Sequence, residues 1–347
     1  MPTPTATPYG WTRTGAHLLA ILTAFLTFVL IGSGGLVTSH GVGMSVPDWP
    51  ETYGYNMFLF PISRWVGGIF YEHTHRLLAS GVGLLTLILA GWIFFVEPRR
   101  WVKVLAAGAL VAVVLQGVLG GYRVLLNLNQ IGIFHGFLAQ SFFISLGILA
   151  IVTSRRFVEG RFAREPWSGG LRRMALGVTI LIFVQLAIAA SMRHAHAGLS
   201  IPDFPLAYGQ WWPDTGAAAL ERINAARVAD NEVPTTAGLI WLQMAHRLVA
   251  CAIFSGVLAF AWLARTRTTD RLGRGLAWLW VGMILGQIGL GAWTVWSNKA
   301  ADITTLHVAL GALSLFVGGL LTFRLFCAPA GEAPSEISTA GLARDPA

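Results

Sequence analysis

The stretch Tyr71-Glu-His-Thr-His-Arg76 sets four ionisable side chains, Glu72, His73, His75 and Arg76, inside an apolar run spanning roughly 66–96. Charge at hydrocarbon depth is costly, so an intramembrane cluster of this kind reads first as a functional site. On a helix Glu72 and His75 share a face at i, i+3, whereas His73 points elsewhere. A carboxylate beside an imidazole places a proton acceptor next to a candidate ligand. Glu72 can also pair with Arg76 at i, i+4, and the two roles are compatible.

The cluster is half of a repeat. His75-Arg-Leu-Leu-Ala-Ser80 returns as His246-Arg-Leu-Val-Ala-Cys251, and Gln116-Gly-Val-Leu-Gly-Gly121 returns as Gln287-Ile-Gly-Leu-Gly-Ala292, both 171 residues later; His135 and His307 lie 172 apart. The segment Ser45-Val-Pro-Asp-Trp-Pro50 returns as Ser200-Ile-Pro-Asp-Phe-Pro205 at an offset of 155, so the second half has gained 16 residues, placed in the amphipathic stretch Thr215 to Val228. Of nine histidines, His17, His40, His194 and His196 have no matched partner and read as solvated or interfacial. The matched set is His75, His135, His246 and His307.

Two imidazoles facing each other across a helical bundle hold a haem iron on both axial faces. Zinc or copper would take three or four clustered nitrogen or sulfur ligands, which one histidine per helix does not supply. Gly117, Gly121, Gly286, Gly289 and Gly291 clear bulk for close helix packing or for a flat ligand. The spacing leaves open whether the histidines pair within or across the halves. The halves differ where chemistry would be expected: Glu72, His73 and Thr74 become Gln243, Met244 and Ala245. A carboxylate one turn from the ligand can accept protons and its Gln twin cannot, which assigns chemistry to the first half and electron transfer or a structural haem to the second. Arg76 and Arg247 persist in both and suit haem propionates. Asp48 and Asp203 sit in the Pro-Asp-aromatic-Pro loops, as turn residues or as catalytic ones.

The elements that must position these residues are membrane helices. The 347-residue chain is 55% hydrophobic and 12% charged, with a mean hydropathy of +0.63, and carries several apolar runs of spanning length. Eight helices are expected at 16–37, 66–96, 101–124, 132–153, 174–193, 237–264, 276–297 and 302–326. The fold class is an all-α membrane protein of two tandem, parallel-repeat four-helix bundles. The units are a tail at 1–15, an N-terminal catalytic bundle at 16–153, a linker at 154–173, a C-terminal bundle at 174–326 and a disordered tail at 327–347. Of 24 Lys and Arg residues, all but eight fall on one side, which puts both termini in the cytoplasm and the histidine ends outside. Basic residues dispersed in short loops exclude a nucleic-acid surface, and Cys251 and Cys327, in separate helices, build no disulfide framework.

Taken in order, Glu72-His-Thr-His75-Arg76, His135-Gly136, His246-Arg247, His307 and the loop Gly43-Met-Ser-Val-Pro-Asp-Trp-Pro50 resemble the haem A synthase family over about residues 16–326. The resemblance implies an oxidoreductase of the bacterial inner membrane that oxidises a pyrrole methyl of haem O to a formyl group through hydroxylated intermediates. It implies membrane lipid around the chain, haem O synthase upstream, terminal oxidase assembly downstream and an unidentified electron acceptor, with a homo-oligomer left open. By that likeness His75 and His135 hold the substrate haem O beside catalytic Glu72, and His246 and His307 hold a permanent haem b. Many bacterial members carry a cysteine pair in the first external loop; Val46 and Thr52 stand there in this chain, so no thiol step operates. The rival readings are a bis-histidine di-haem cytochrome b without covalent chemistry, which leaves the single Glu72 unexplained, and a haem transporter or chaperone.

Overall fold

The computed structural model describes residues 10–128 and 130–331. Eight long apolar helices dominate it: α1 (Trp11–Ser39), α2 (Gly67–Val96), α3 (Arg100–Leu125), α4 (Ile131–Thr153), α6 (Gly169–His194), α8 (Ala237–Arg267), α9 (Arg271–Trp296) and α10 (Ala301–Cys327). At about 1.5 Å of rise per residue each crosses a hydrocarbon core of about 30 Å. Two shorter helices complete the set, α5 (Arg155–Val158) after α4 and α7 (Ala217–Ala229) before α8. The α7 helix fills the segment in which the inserted residues were expected.

Helix ends differ from the sequence reading where capping and pairing intervene. The α1 helix already begins at Trp11, inside the expected tail. The α6 helix starts at Gly169, because the Ser168 hydroxyl accepts the N–H of Leu171 at 3.4 Å and closes the first turn early. At the other end α10 reaches Cys327, and a two-residue strand β2 (Ala330–Gly331) pairs in parallel with β1 (Trp167–Ser168). Order thus extends past the expected start of the C-terminal tail; 332–347 lie outside the described residues.

The helices pack as two closed rings. In the first, α1 meets α2 and α4, and α3 closes between them; in the second, α6 meets α8 and α10, and α9 closes between them. The rings join where α1 and α4 lie against α10 and α4 touches α6. At that joint the rings of Phe143 and Phe316 stack at 4.1 Å, over Gly147, where a Cβ would collide with Phe316. Each ring has its own apolar core, one around Val82, Leu89, Ile93, Phe142 and Leu146, the other around Trp167, Val257, Phe260, Trp280 and Leu315. The end of the second ring away from its histidines is tied by a buried ion pair, Arg324 to Asp270 at 2.9 Å, with Trp167 Nε1 donating to the same carboxylate at 3.2 Å. Outward-facing apolar side chains such as Phe95, Val104 and Trp262 are exposed, as a lipid-facing surface requires.

Candidate functional site

The four matched histidines come together as two pairs, one inside each ring. His246 on α8 and His307 on α10 face each other with ring centroids 6.4 Å apart and planes at 62°. Two metal–imidazole bonds of about 2 Å on opposite sides of one metal put the nitrogens about 4 Å apart. Each centroid lies little more than a bond length behind its nitrogen, so the observed span would fit two imidazoles holding one metal ion between them. His75 on α2 and His135 on α4 stand within electrostatic reach of each other in the first ring. The Nδ1 of each of the four is buried without a hydrogen-bond partner among the described residues. A buried polar atom is ordinarily paired, and four such orphaned imidazoles at matched positions fit residues that would hold a haem.

Residues unassigned in the sequence hold these histidines in place. Gln116 Nε2 donates to the carbonyl of His135 at 2.8 Å, and Gln287 Nε2 donates to that of His307 at the same distance. Gln185 on α6 donates likewise to His246 O at 2.9 Å. These bonds cross between helices and satisfy carbonyls near the ligands. The His75 ring lies against Gly34 of α1 and the His307 ring against Gly291 of α9, where a Cβ would approach Cε1 to 3.0 and 3.2 Å. Gly121 instead accommodates the Trp49 indole, which a Cβ would meet at 2.4 Å.

Glu72 is buried, and its two oxygens face different partners: Oε2 accepts the N–H of Val46 at 3.0 Å and Oε1 accepts Arg76 Nη2 at 2.9 Å. Arg76 also donates to the carbonyls of Val46, Asp48 and Glu51 at 2.8, 2.7 and 3.1 Å. In the second ring Gln243 Oε1 accepts Ile201 N at 2.6 Å, and Arg247 donates to Leu206 O and Asp203 O at 2.7 and 2.6 Å. The Nη groups expected to face propionates are thus spent on loop carbonyls in both halves. Each loop also closes on itself. The Asp48 oxygens accept Tyr53 N and Gly54 N at 2.9 and 2.7 Å, and those of Asp203 accept Tyr208 N and Gly209 N at 2.7 and 2.8 Å. Tyr53 donates to Ser45 O and Tyr208 to Ser200 O. These aspartates are turn residues. Partial burial pushes the Asp48 carboxyl up, but the Gly54 and Tyr53 N–H groups and the Arg76 charge outweigh it and hold it below the usual range.

His73, on the opposite face of α2 from the ligand, is fully buried; its Nδ1 lies 3.2 Å from Thr52 Oγ1, and its ring packs on Phe60 and Trp65. Its counterpart Met244 sits instead in an apolar cluster with Ile201, Ala207 and Ile240, roofed by Leu220 and Ile223 of α7. Val46 and Thr52 are both buried and both bonded to α2, one through its backbone to Glu72 and one through its hydroxyl to His73. His40 is surface-placed as expected but stacks on Tyr71 at 4.3 Å.

A cationic group that spacing did not reveal closes the joint between the rings. Arg123, in the last turn of α3, lies against Gly43 of the first loop and Gly132 of α4, and His194 of α6 lies against the same Gly132. Arg193 donates across the joint to Gly35 O and Ser39 Oγ of α1 at 3.0 and 2.8 Å. Arg123 has no repeat twin, its matched position being Thr294, so only an isolated arginine ending an apolar run pointed to it. A cavity of about 820 Å³ lies at the opposite ends of α1, α4 and α10 and includes none of these residues.

The chain is similar to known proteins over most of its length. The chain is 26% identical over 316 residues to the heme A synthase of Exiguobacterium sibiricum, covering 89% of this chain and 95% of that one. It is 27% identical over 327 residues to the heme A synthase of Symbiobacterium thermophilum, with 92% and 97% covered, and 28% identical over 323 residues to that of Geobacillus kaustophilus, with 88% and 89% covered. The family model described as COX15-CtaA, cytochrome oxidase assembly protein, matches residues 17–318, both rings and all four histidines included, and the chain belongs to that family.

Proposed function

We propose that this chain is a haem A synthase, a multi-pass membrane oxidoreductase that converts a pyrrole methyl of haem O to a formyl group for terminal oxidases. The observation that carries the reading is one pocket built twice with its carboxylate in one copy only: Glu72 and Gln243 hold equivalent loop N–H groups, but only Glu72 can take up a proton. His75 and His135 hold the substrate haem O, and His246 and His307 hold haem b. Haem b supplies one-electron redox chemistry when bound. Glu72, one turn from His75, accepts protons released as the substrate methyl is oxidised. Its bonds to Val46 and Arg76 fix its direction. With the electrons leaving to an acceptor outside this chain, the step balances when one water supplies the formyl oxygen, methyl plus water giving formyl, four protons and four electrons.

Both termini lie in the cytoplasm and the histidine pairs toward the external side, with haem O synthase upstream and oxidase assembly downstream. The test is to purify the protein from cells supplied with haem O, extract its haems in acid solvent and identify them by mass. Haem A or its hydroxylated precursor beside haem B is the expected result. Haem B alone, with haem O present in the cells, would replace the reading with a di-haem electron-transfer cytochrome.

A further inference from the structure

Building on the synthase reading, we propose that Arg123, with Arg193 and His194 beside it, is a carboxylate site that takes a propionate of the porphyrin held at His75 and His135. Arg123 Nε is buried and has no hydrogen-bond partner among the described residues. Its electrostatic neighbours are almost all cationic or neutral nitrogen groups: Arg193, His194, His75 and His135. The carboxylate in reach is Glu72, already bonded to Arg76 and to the Val46 N–H. Arg76 and Arg123 therefore share one committed carboxylate, and Arg193 beside Arg123 adds a further positive charge.

A buried guanidinium without an anion is strongly disfavoured, and its fork of donors matches a carboxylate. The backbone makes deliberate room for it. A Cβ on Gly43 would stand 2.9 Å from Arg123 Nη2, and a Cβ on Gly132 would stand 2.7 Å from His194 Cε1 and 3.5 Å from Arg123 Nε. Arg76 cannot serve as well, since both its Nη atoms donate to the loop and to Glu72. The second ring lacks the site: at the position of Arg123 stands Thr294, whose hydroxyl returns to Leu290 O at 2.8 Å. A propionate salt-bridged to Arg123 would fix the rotation of the substrate porphyrin about the His75–His135 axis, and so which methyl faces Glu72. The second haem, which undergoes no regioselective chemistry, has no need of such a fix.

The experiment titrates haem O and haem O dimethyl ester into the purified full-length protein depleted of substrate, following the Soret band at equilibrium. The wild type should bind the free acid at least about tenfold more tightly than the diester, the worth of one charge-assisted hydrogen-bonded contact. Arg123→Gln should abolish that preference by weakening the acid and leaving the diester unchanged, and Arg123→Lys should restore part of it. Should Arg123→Gln fail to fold, Gly43→Ala displaces the guanidinium while keeping the charge, and the same loss of preference is expected. Equal binding of acid and diester by the wild type, or an undiminished preference in Arg123→Gln, overturns the carboxylate site while the synthase reading stands. A wild type that binds neither porphyrin overturns both.

Discussion

Replacing Glu72 by Gln separates the anchoring role of this side chain from its chemical one, because the protein already contains the result of the exchange. Gln243 occupies the matched position in the second ring, accepts the Ile201 N–H at 2.6 Å, and donates its amide to Gly198 O and Ile201 O at 3.2 Å each. In the first ring the substituted amide keeps the Val46 N–H and can turn its NH2 to Val46 O, the counterpart of Ile201 O. What it loses is the charged contact with Arg76 at 2.9 Å. Removing one partner of a buried ion pair costs about 3–5 kcal/mol when the other charge is orphaned. Here Arg76 keeps three carbonyl acceptors, so the loss is that of one charged hydrogen bond, about 1.5–3 kcal/mol. The protein should therefore fold with a lowered melting temperature, while formyl production falls by about 10²–10⁴-fold for want of a proton acceptor. Extracted haems, separated and weighed over a time course, give the rate, and thermal unfolding of the same sample gives the stability. Haem A formed at more than about a tenth of the wild-type rate would be incompatible with the loss of a general base, and would leave Glu72 as a loop anchor only.

Four further outcomes test other parts of the frame. His246→Ala should remove the low-spin bis-histidine spectrum assigned to haem b, and retention of that spectrum would refute the ligand pair. Gly121→Ala sets a Cβ 2.4 Å from the Trp49 indole, so the loop must shift at a cost of about 1–3 kcal/mol, seen as a lowered melting temperature; an unchanged value would contradict the packing. Asp270→Asn leaves Arg324 buried without its carboxylate, a loss of about 3–5 kcal/mol in thermal or denaturant unfolding, and a neutral result would show that the pair contributes nothing net. Because the Asp48 carboxyl is held low, the loop stability it contributes is complete above the ordinary carboxylate value of about 4 and is lost only as pH falls below it. Hydrogen exchange at Tyr53 and Gly54 should thus stay constant from neutral pH down to that value, after correction for the intrinsic rate, and rise beyond it; protection lost between pH 7 and 5 would point to another group.

Eight helices were legible because apolar runs of spanning length leave little else for the backbone to do in a membrane. Their ends were less so, since Ser168 and the pairing of Trp167 with Ala330 act through local and long-range bonds that hydropathy does not register. In the site, repetition carried the reading: His75, His135, His246 and His307 were found by their offsets, with the His246 and His307 rings 6.4 Å apart and His75 and His135 within electrostatic reach of each other. The same reliance explains what was missed. Arg123, Gln185 and Arg193 have no twin at the repeat offsets, and their importance arises from the packing of α3, α4 and α6 at the joint, which no offset records. Arg76 and Arg247 were found, but their commitment to loop carbonyls depends on how the loops fold back, a matter of turn geometry at Asp48 and Asp203.

The two loops also explain how one frame supports different chemistry in its halves. Each is latched almost wholly through main-chain groups: arginine to carbonyls, aspartate to two N–H groups, tyrosine to a carbonyl, and the α2 or α8 side chain to the N–H of Val46 or Ile201. A latch that reads backbone rather than side chains tolerates wide variation in the residues it holds. Trp49 can become Phe204, and Thr52 can become Ala207, without loss of the turn, which recurs with Thr52 facing Tyr55 and Ala207 facing Gln210. Divergence is then free to concentrate in the proposed porphyrin sites, at Glu72 against Gln243 and Arg123 against Thr294. On this reasoning, Gln243→Glu with Thr294→Arg should be tolerated by the second ring's fold while raising its preference for a free propionic acid over a diester. A second ring that unfolds on these changes would show that the latch depends on the side chains after all.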